Sequence, residues 1–204
     1  MATKAETDTE GEASGVPKGA AGSKPRTPRS TAAKAKARTP AEVARAGFDA
    51  VIAHDVDVIL ENWSPDGIQD WVALGVFRGH DQIRDLFEQV FAATPDIEMI
   101  VERIVADDET ACVQWRSVGT FTGEPFIGIE PTGRRIELRG VDVMEIEDGK
   151  IVRNTVYYDG AAFARGVGML PAQDSGTEKA MYAAFNAATR LRRAIRERTS
   201  GGTS

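Results

Sequence analysis

One carboxylate stands out by where its strand places it. Over residues 136–146 the side chains of an extended strand alternate between two faces. Ile136, Leu138, Gly140, Asp142, Met144 and Ile146 share one face, and Glu137, Arg139, Val141, Val143 and Glu145 share the other. The first face is apolar except for Asp142 at its centre. A charge there is costly unless it is paired, hydrogen-bonded or protonated, and desolvation raises a carboxylate's pKa. Moving Asp142 from ~4 to ~7 takes about 4 kcal/mol of differential interaction. A carboxylate tuned in that way suits removal of a proton beside a carbonyl.

Register supplies its neighbours. After this strand the chain turns at Glu147-Asp148-Gly149. A two-residue Asp-Gly loop would set Arg153 beside Met144. A three-residue loop would set Val152, Asn154, Val156 and Tyr158 on Asp142's face, and the apolar pattern favours it. Asn154 is then expected opposite Asp142. On the other side, a symmetric hairpin across 122–134 sets Arg116 opposite Asp142 and Gln114 opposite Met144. It turns Trp115 outward, opposite Val143, where Trp115, Val113 and Val141 would form an apolar patch suited to a homodimer. The inner face would hold Asp142, Arg116, Gln114, Asn154 and Tyr158 among aliphatic residues, which describes a small-molecule pocket. In this reading Asp142 moves the proton, and Arg116, Asn154 or Tyr158 stabilises an enolate oxygen. Trp63 and Trp71 flank a planar apolar ligand, and no cofactor is required. A satisfied Arg116–Asp142 pair without chemistry is the alternative.

The elements that must position these residues read as helices followed by strands. Thr39, Pro40 and Glu42 form a helix start with capping-box spacing, ahead of a stripe of Val43, Ala46, Ala50 and Val51 with Phe48 beside it. A shorter helix is expected at roughly 55–62, and a strand-like IQDWVALGVF lies between Gly67 and Gly79. IRDLFEQVFAAT then gives a clear helix with Ile83, Leu86, Phe87, Val90 and Phe91 on one side. Segments 97–106, 110–121, 135–146 and 150–158 read as strands. This order means α+β. A short helix at 160–168 follows, then a linker and a helix of about 178–197. Met181, Ala184, Phe185, Ala188, Leu191 and Ile195 share one face of that last helix, which is expected to dock on the domain or on a partner subunit. His54 and His80 are expected as caps or surface residues, Cys112 as a packing residue, and Asp159 as a cap.

Composition narrows the function classes. The 204 residues include 31 acidic, 25 basic and 2 histidine, a formal net charge of −6. Residues 1–39 carry +4 and the remainder −10. The low-complexity basic segment 1–39 is expected to be a disordered arm, with at most weak contact to nucleic acid, whose backbone the acidic remainder repels. One cysteine and two distant histidines argue against a metal site. No apolar run approaches ~18 residues, and MATKAETDTEGEASG has no apolar h-region, so a cytoplasmic protein is expected.

The strings FRGHDQIRDLFEQVF, VQWRSVGTFTGEPFIGIEPTGRRIELRGVDVMEIEDGKI and NTVYYDGAAFARGVGMLP, in this order of elements, resemble the SnoaL-like polyketide cyclase family. That family shares its superfamily with nuclear transport factor 2 and ketosteroid isomerase. The likeness covers roughly 41–171, so the division is an arm at 1–39, a cone domain at 40–171 and a C-terminal segment at 172–204. The resemblance implies a cone-shaped, curved antiparallel or mixed sheet wrapped around N-terminal helices. It implies that Asp142, in GVDVMEIEDGKI, is the general acid/base of a ring closure. Where those cyclases often carry a histidine, GTFTG has Phe121. Against the Asp-Arg-Asp arrangement of limonene epoxide hydrolases the chain has Gln114, Arg116 and Val156, so epoxide hydrolysis is not expected. The base of ketosteroid isomerases, near the first strand, falls at Asp70 or at Trp71. The expectation is a cofactor-independent cyclase or isomerase acting on an apolar carbonyl compound of polyketide or steroid-like type. A non-catalytic binder or dimeric adaptor of the same fold is the alternative.

Overall fold

The computed structural model describes residues 38–200. Apart from Arg38 and Thr39, the arm read over 1–39 lies outside them. Arg38 donates to Asn62 Oδ1 (2.8 Å) and to the Gly149 carbonyl (2.9 Å). Thr39 and Glu42 form the expected capping box at the start of α1 (Pro40–Ile52), which buries Val43, Ala44, Phe48 and Ala50. Asp55 caps α2 (Val56–Glu61) through the Val58 N–H. The single strand expected between Gly67 and Gly79 is instead a hairpin of β1 (Trp63–Trp71) and β2 (Gly75–Arg78), because the chain turns at 72–74 with the Leu74 N–H on the Trp71 carbonyl. Next come α3 (Gly79–Ala93), β3 (Glu98–Ala106), β4 (Thr110–Thr120), β5 (Arg135–Glu147), β6 (Lys150–Tyr158), α4 (Gly160–Gly166) and α5 (Gly176–Ser200).

The six strands form one curved sheet in the order β2-β1-β6-β5-β4-β3. Every pairing is antiparallel except β1 with β6, which is parallel. The first helices pack their apolar stripes on its inner face. Val43, Phe48, Ile59, Ile83 and Phe87 meet Val113, Trp115, Met144, Ile151 and Val156 in the main core. A second cluster joins Ala93, Phe121, Phe126, Ile136 and Val167. The fold is the expected α+β cone, with a mixed sheet around N-terminal helices.

Two registers differ from expectation. Between β4 and β5, Arg116 lies opposite Arg139, Gln114 opposite Val141, Trp115 opposite Gly140, and Asp142 opposite Val113. The connection 121–134 is not a symmetric loop: Phe121 and Phe126 are buried, and the Gly123 and Glu124 N–H groups cap the Ala93 and Ala92 carbonyls of α3. The resulting shift is three residues, and an odd shift exchanges the two faces of β4. Between β5 and β6 the turn is the two-residue Asp148-Gly149 loop, with φ of 48° and 74°, the pattern of a type I′ hairpin. A bulge then leaves Val152 without a partner, between the pairs Ile146–Ile151 and Glu145–Arg153. The extra residue restores the expected parity. Asn154 and Val156 therefore face inward, although Asn154 lies opposite Met144 and Val156 opposite Asp142.

Glu178, near the start of α5, accepts from Arg165 of α4 (3.0 Å) and from the Asp174 N–H (2.7 Å). Apart from the Arg165–Glu178 contact, α5 packs against no other element among the described residues, and the face expected to dock on the domain or on a partner subunit, with Met181, Phe185, Leu191 and Ile195, is exposed in the single chain. No helix among the described residues is long and apolar enough to cross a membrane.

Candidate active site

A cavity of ≈ 140 Å³ lies between the helices and the inner face of the sheet. That is close to the ~150 Å³ at which an apolar protein cavity takes up benzene. Most of its wall is apolar, from α1, α3, the 121–134 connection and α4. Most of the polar groups come from β1, β4, β5 and β6, with His54 and Thr94 from the helix ends. Asp142, Asn154, Tyr158, Trp63 and Trp71 all line it, as expected, together with Gln69 and Trp115.

Asp142 occupies the centre of β5's inward face and is 7% exposed. Oδ1 accepts from the Trp115 indole N–H (2.6 Å), and Oδ2 accepts from Asn154 Nδ2 (2.6 Å). Burial pushes its pKa up from 3.8 to about 6, and the two hydrogen bonds from Asn154 and Trp115 hold the rise in check. An ionised carboxylate has about four lone-pair sites, so two donors leave it able to accept a proton. Trp115, expected on the outer face, is buried and supplies one of them. It fits because Gly140 lies opposite; a Cβ on Gly140 would come within 2.3 Å of the indole.

Three expected site residues lie elsewhere. The odd shift of β4 turns Arg116 outward, where it pairs with Glu102 (3.9 Å) and Glu137 (3.7 Å). Gln114 goes with it, exposed, and donates to Glu102 (2.9 Å). Asp70 lies between the two inward residues Gln69 and Trp71, so it faces the opposite way and pairs with Arg153 (3.7 Å). Of the two residues left open on the first strand, Trp71 is the one at the cavity. Gln69 and Trp115 are cavity residues that the sequence alone does not assign there. The signal for Gln69 is its place two residues from Trp71 on one strand. Trp115 needed the register.

Several buried polar atoms here have no partner among the described residues: Gln69 Oε1, Trp71 Nε1 and Asn154 Oδ1. Tyr158 is set edge-on against Trp71 (6.0 Å) and Phe163 (6.5 Å), and burial pushes its hydroxyl up to about 12. His54, expected as a cap or surface residue, lines the cavity with its ring stacked on Phe91 (4.4 Å), while its Nε2 meets the Ile97 carbonyl at 3.0 Å. His80 meets the Trp63 carbonyl at 3.3 Å, and Asp159 caps α4 as expected. Among the described residues no cluster of His, Cys, Asp or Glu could hold a metal ion.

The profile of the SnoaL-like domain matches residues 44–154. A search of curated proteins finds no match. Among solved structures, a protein from Jannaschia sp. CCS1 assigned as a SnoaL-like polyketide cyclase aligns with a TM-score of 0.59 at 22% identity, over 66% of this chain and 98% of that one. AclR from Streptomyces galilaeus, assigned as a hydroxylase, gives 0.57 and 22%, over 77% and 94%. IdmH from Streptomyces antibioticus, assigned as a polyketide cyclase, gives 0.55 and 22%, over 64% and 99%. At these identities the structural likeness establishes the fold, and the domain match over more than half of the chain establishes the family. With its cone of mixed sheet and helices, the chain belongs to the SnoaL-like domain family, within the fold of nuclear transport factor 2-like and ketosteroid isomerase-like proteins.

Proposed function

We propose that the protein is an acid–base enzyme of the cyclase or isomerase type, acting on a small apolar carbonyl compound with Asp142 as the proton-transfer residue. The observation that carries this reading is a carboxylate buried against an apolar cavity, raised to about 6, with only neutral hydrogen-bond donors on it. The base takes the proton from the carbon beside the carbonyl. The C–H electron pair becomes a C=C bond, and the carbonyl π pair moves onto oxygen. Return of the proton to another carbon completes an isomerisation. Attack of the enolate carbon on a second carbonyl, with the proton passed to the new alkoxide, completes a ring closure. Neither route asks for a cofactor. Neighbours assigned as polyketide cyclases lend the same direction. Of the apolar patch expected on the outer face, Val113 and Trp115 are buried in the core and Val141 remains exposed; with Tyr157 opposite it, this face is taken as the homodimer surface.

The test is exchange of a ketone's α-hydrogens in deuterium oxide. The rate should rise with pH through about 6 and level off above it, since the ionised carboxylate is the active form. Asp142→Asn should reduce it by about a hundredfold or more, with ligand binding retained. Exchange that is indifferent to Asp142→Asn would leave this fold as a binder without chemistry.

A further inference from the structure

Resting on the proton-transfer reading, the orphaned polar atoms define what the ligand must carry. We infer that the cavity takes a single-ring hydroxylated ketone, whose carbonyl oxygen accepts from the Trp71 indole N–H and whose hydroxyl donates to Asn154 Oδ1.

Register places these groups. Trp71 lies opposite Val156 across β1 and β6, and Val156 lies opposite Asp142 across β6 and β5. The three form one row on the inner face, with Trp71 and Asp142 two strand spacings apart, about 10 Å between Cα atoms. The next row runs Gln69, Asn154, Met144. Trp71, Asp142 and Asn154 thus ring the Val156 side chain, and all line the same cavity. A ketone group lying over Val156 meets the base through its α-carbon and the indole through its oxygen.

Chemistry fixes the two contacts. An indole nitrogen only donates, so the buried Trp71 N–H needs an acceptor. An ionised carboxylate only accepts, so Asn154 must turn its amide nitrogen to Asp142, and Oδ1 is left needing a donor. The other buried indole N–H beside the base, that of Trp115, is already committed to Asp142. Trp71 therefore holds the oxygen on which charge develops when Asp142 removes the adjacent proton, and Asn154 selects a ligand with a hydroxyl group. A cavity of ≈ 140 Å³ has room for about one ring beside these groups.

The test uses ethylbenzene, acetophenone and the 3′- and 4′-hydroxyacetophenones, which share a shape and differ in polar groups. Wild type should bind acetophenone more tightly than ethylbenzene, and one hydroxyacetophenone about tenfold more tightly again. Trp71→Phe should weaken both ketones about five- to tenfold, spare ethylbenzene, and slow methyl hydrogen exchange without moving its pH midpoint. Asn154→Ala should erase the hydroxyl preference, and Tyr158→Phe should leave the ketone preference intact; circular dichroism confirms that each variant is folded. If Trp71→Phe keeps the preference for ketone over hydrocarbon, or Tyr158→Phe removes it, the assignment of Trp71 is overturned even where exchange still depends on Asp142. Exchange independent of Asp142, with these preferences intact, would overturn the proton-transfer reading and leave the recognition pair standing.

Discussion

Holding Asp142 ionised costs the fold stability. Its pKa in the folded protein, about 6, lies above the ordinary 3.8, so the folded state binds the proton more tightly than the unfolded chain does. The stabilising contribution is full below the ordinary value and is lost as pH rises through about 6. A rise from 3.8 to about 6 corresponds to roughly 3 kcal/mol. Asp142→Asn removes this dependence. In denaturant titrations the variant should lose ground to wild type near pH 4 and match or exceed it near pH 8. The difference between the two proteins isolates Asp142 from carboxylates of opposite sign. Asp96, for example, is held low by the Thr120 N–H and hydroxyl, and its contribution disappears on acidification. A wild-type-minus-variant stability that is flat across this range would mean that burial does not perturb Asp142.

At the scale of elements, the site depends on how β4, β5 and β6 slide against one another. Trp115 reaches Asp142 only because the residue opposite it lacks a side chain. Gly140→Ala would displace the indole. It should lower stability by about 1–3 kcal/mol, the usual range for overpacking. Because the Trp115 hydrogen bond holds Asp142 down, its loss should also move the exchange midpoint above about 6. An unchanged midpoint would show that the indole does not tune the base. The same elements show what the sequence disclosed. Alternation along one strand is local, so Asp142, Asn154 and Tyr158 could be assigned to the cavity from residue order, and the helices followed from caps and apolar stripes. Pairing between β4 and β5 is not local. It is set by Phe121 and Phe126 sinking into the second core cluster and by backbone caps on α3, and no pattern in 121–134 announces this. Arg116 and Trp115 exchanged faces for that reason. The bulge at Val152 had the opposite effect: it corrected the parity that the tight Asp148-Gly149 turn would otherwise have reversed.

Across the whole molecule, the outer sheet face mixes exposed apolar residues with ion pairs. Val141 and Tyr157 are flanked by Arg116, Glu137, Glu145 and Arg153, which neutralise one another. For the proposed homodimer, Tyr157→Asp should give a monomer in sedimentation, with the cavity and its ligand preferences unchanged. A variant that still sediments as wild type would place the contact elsewhere.

The parallel pairing of β1 with β6 joins the earliest strand to the latest. A ribosome assembling this chain delivers Gln69 and Trp71 long before Asn154, so the nascent cone has half its binding wall and no neighbour on one edge of β1. Pairings this distant close slowly, and an open strand edge invites association with other chains. Until residue 158 has cleared the exit tunnel, that edge of β1 has no strand of its own sheet to cover it.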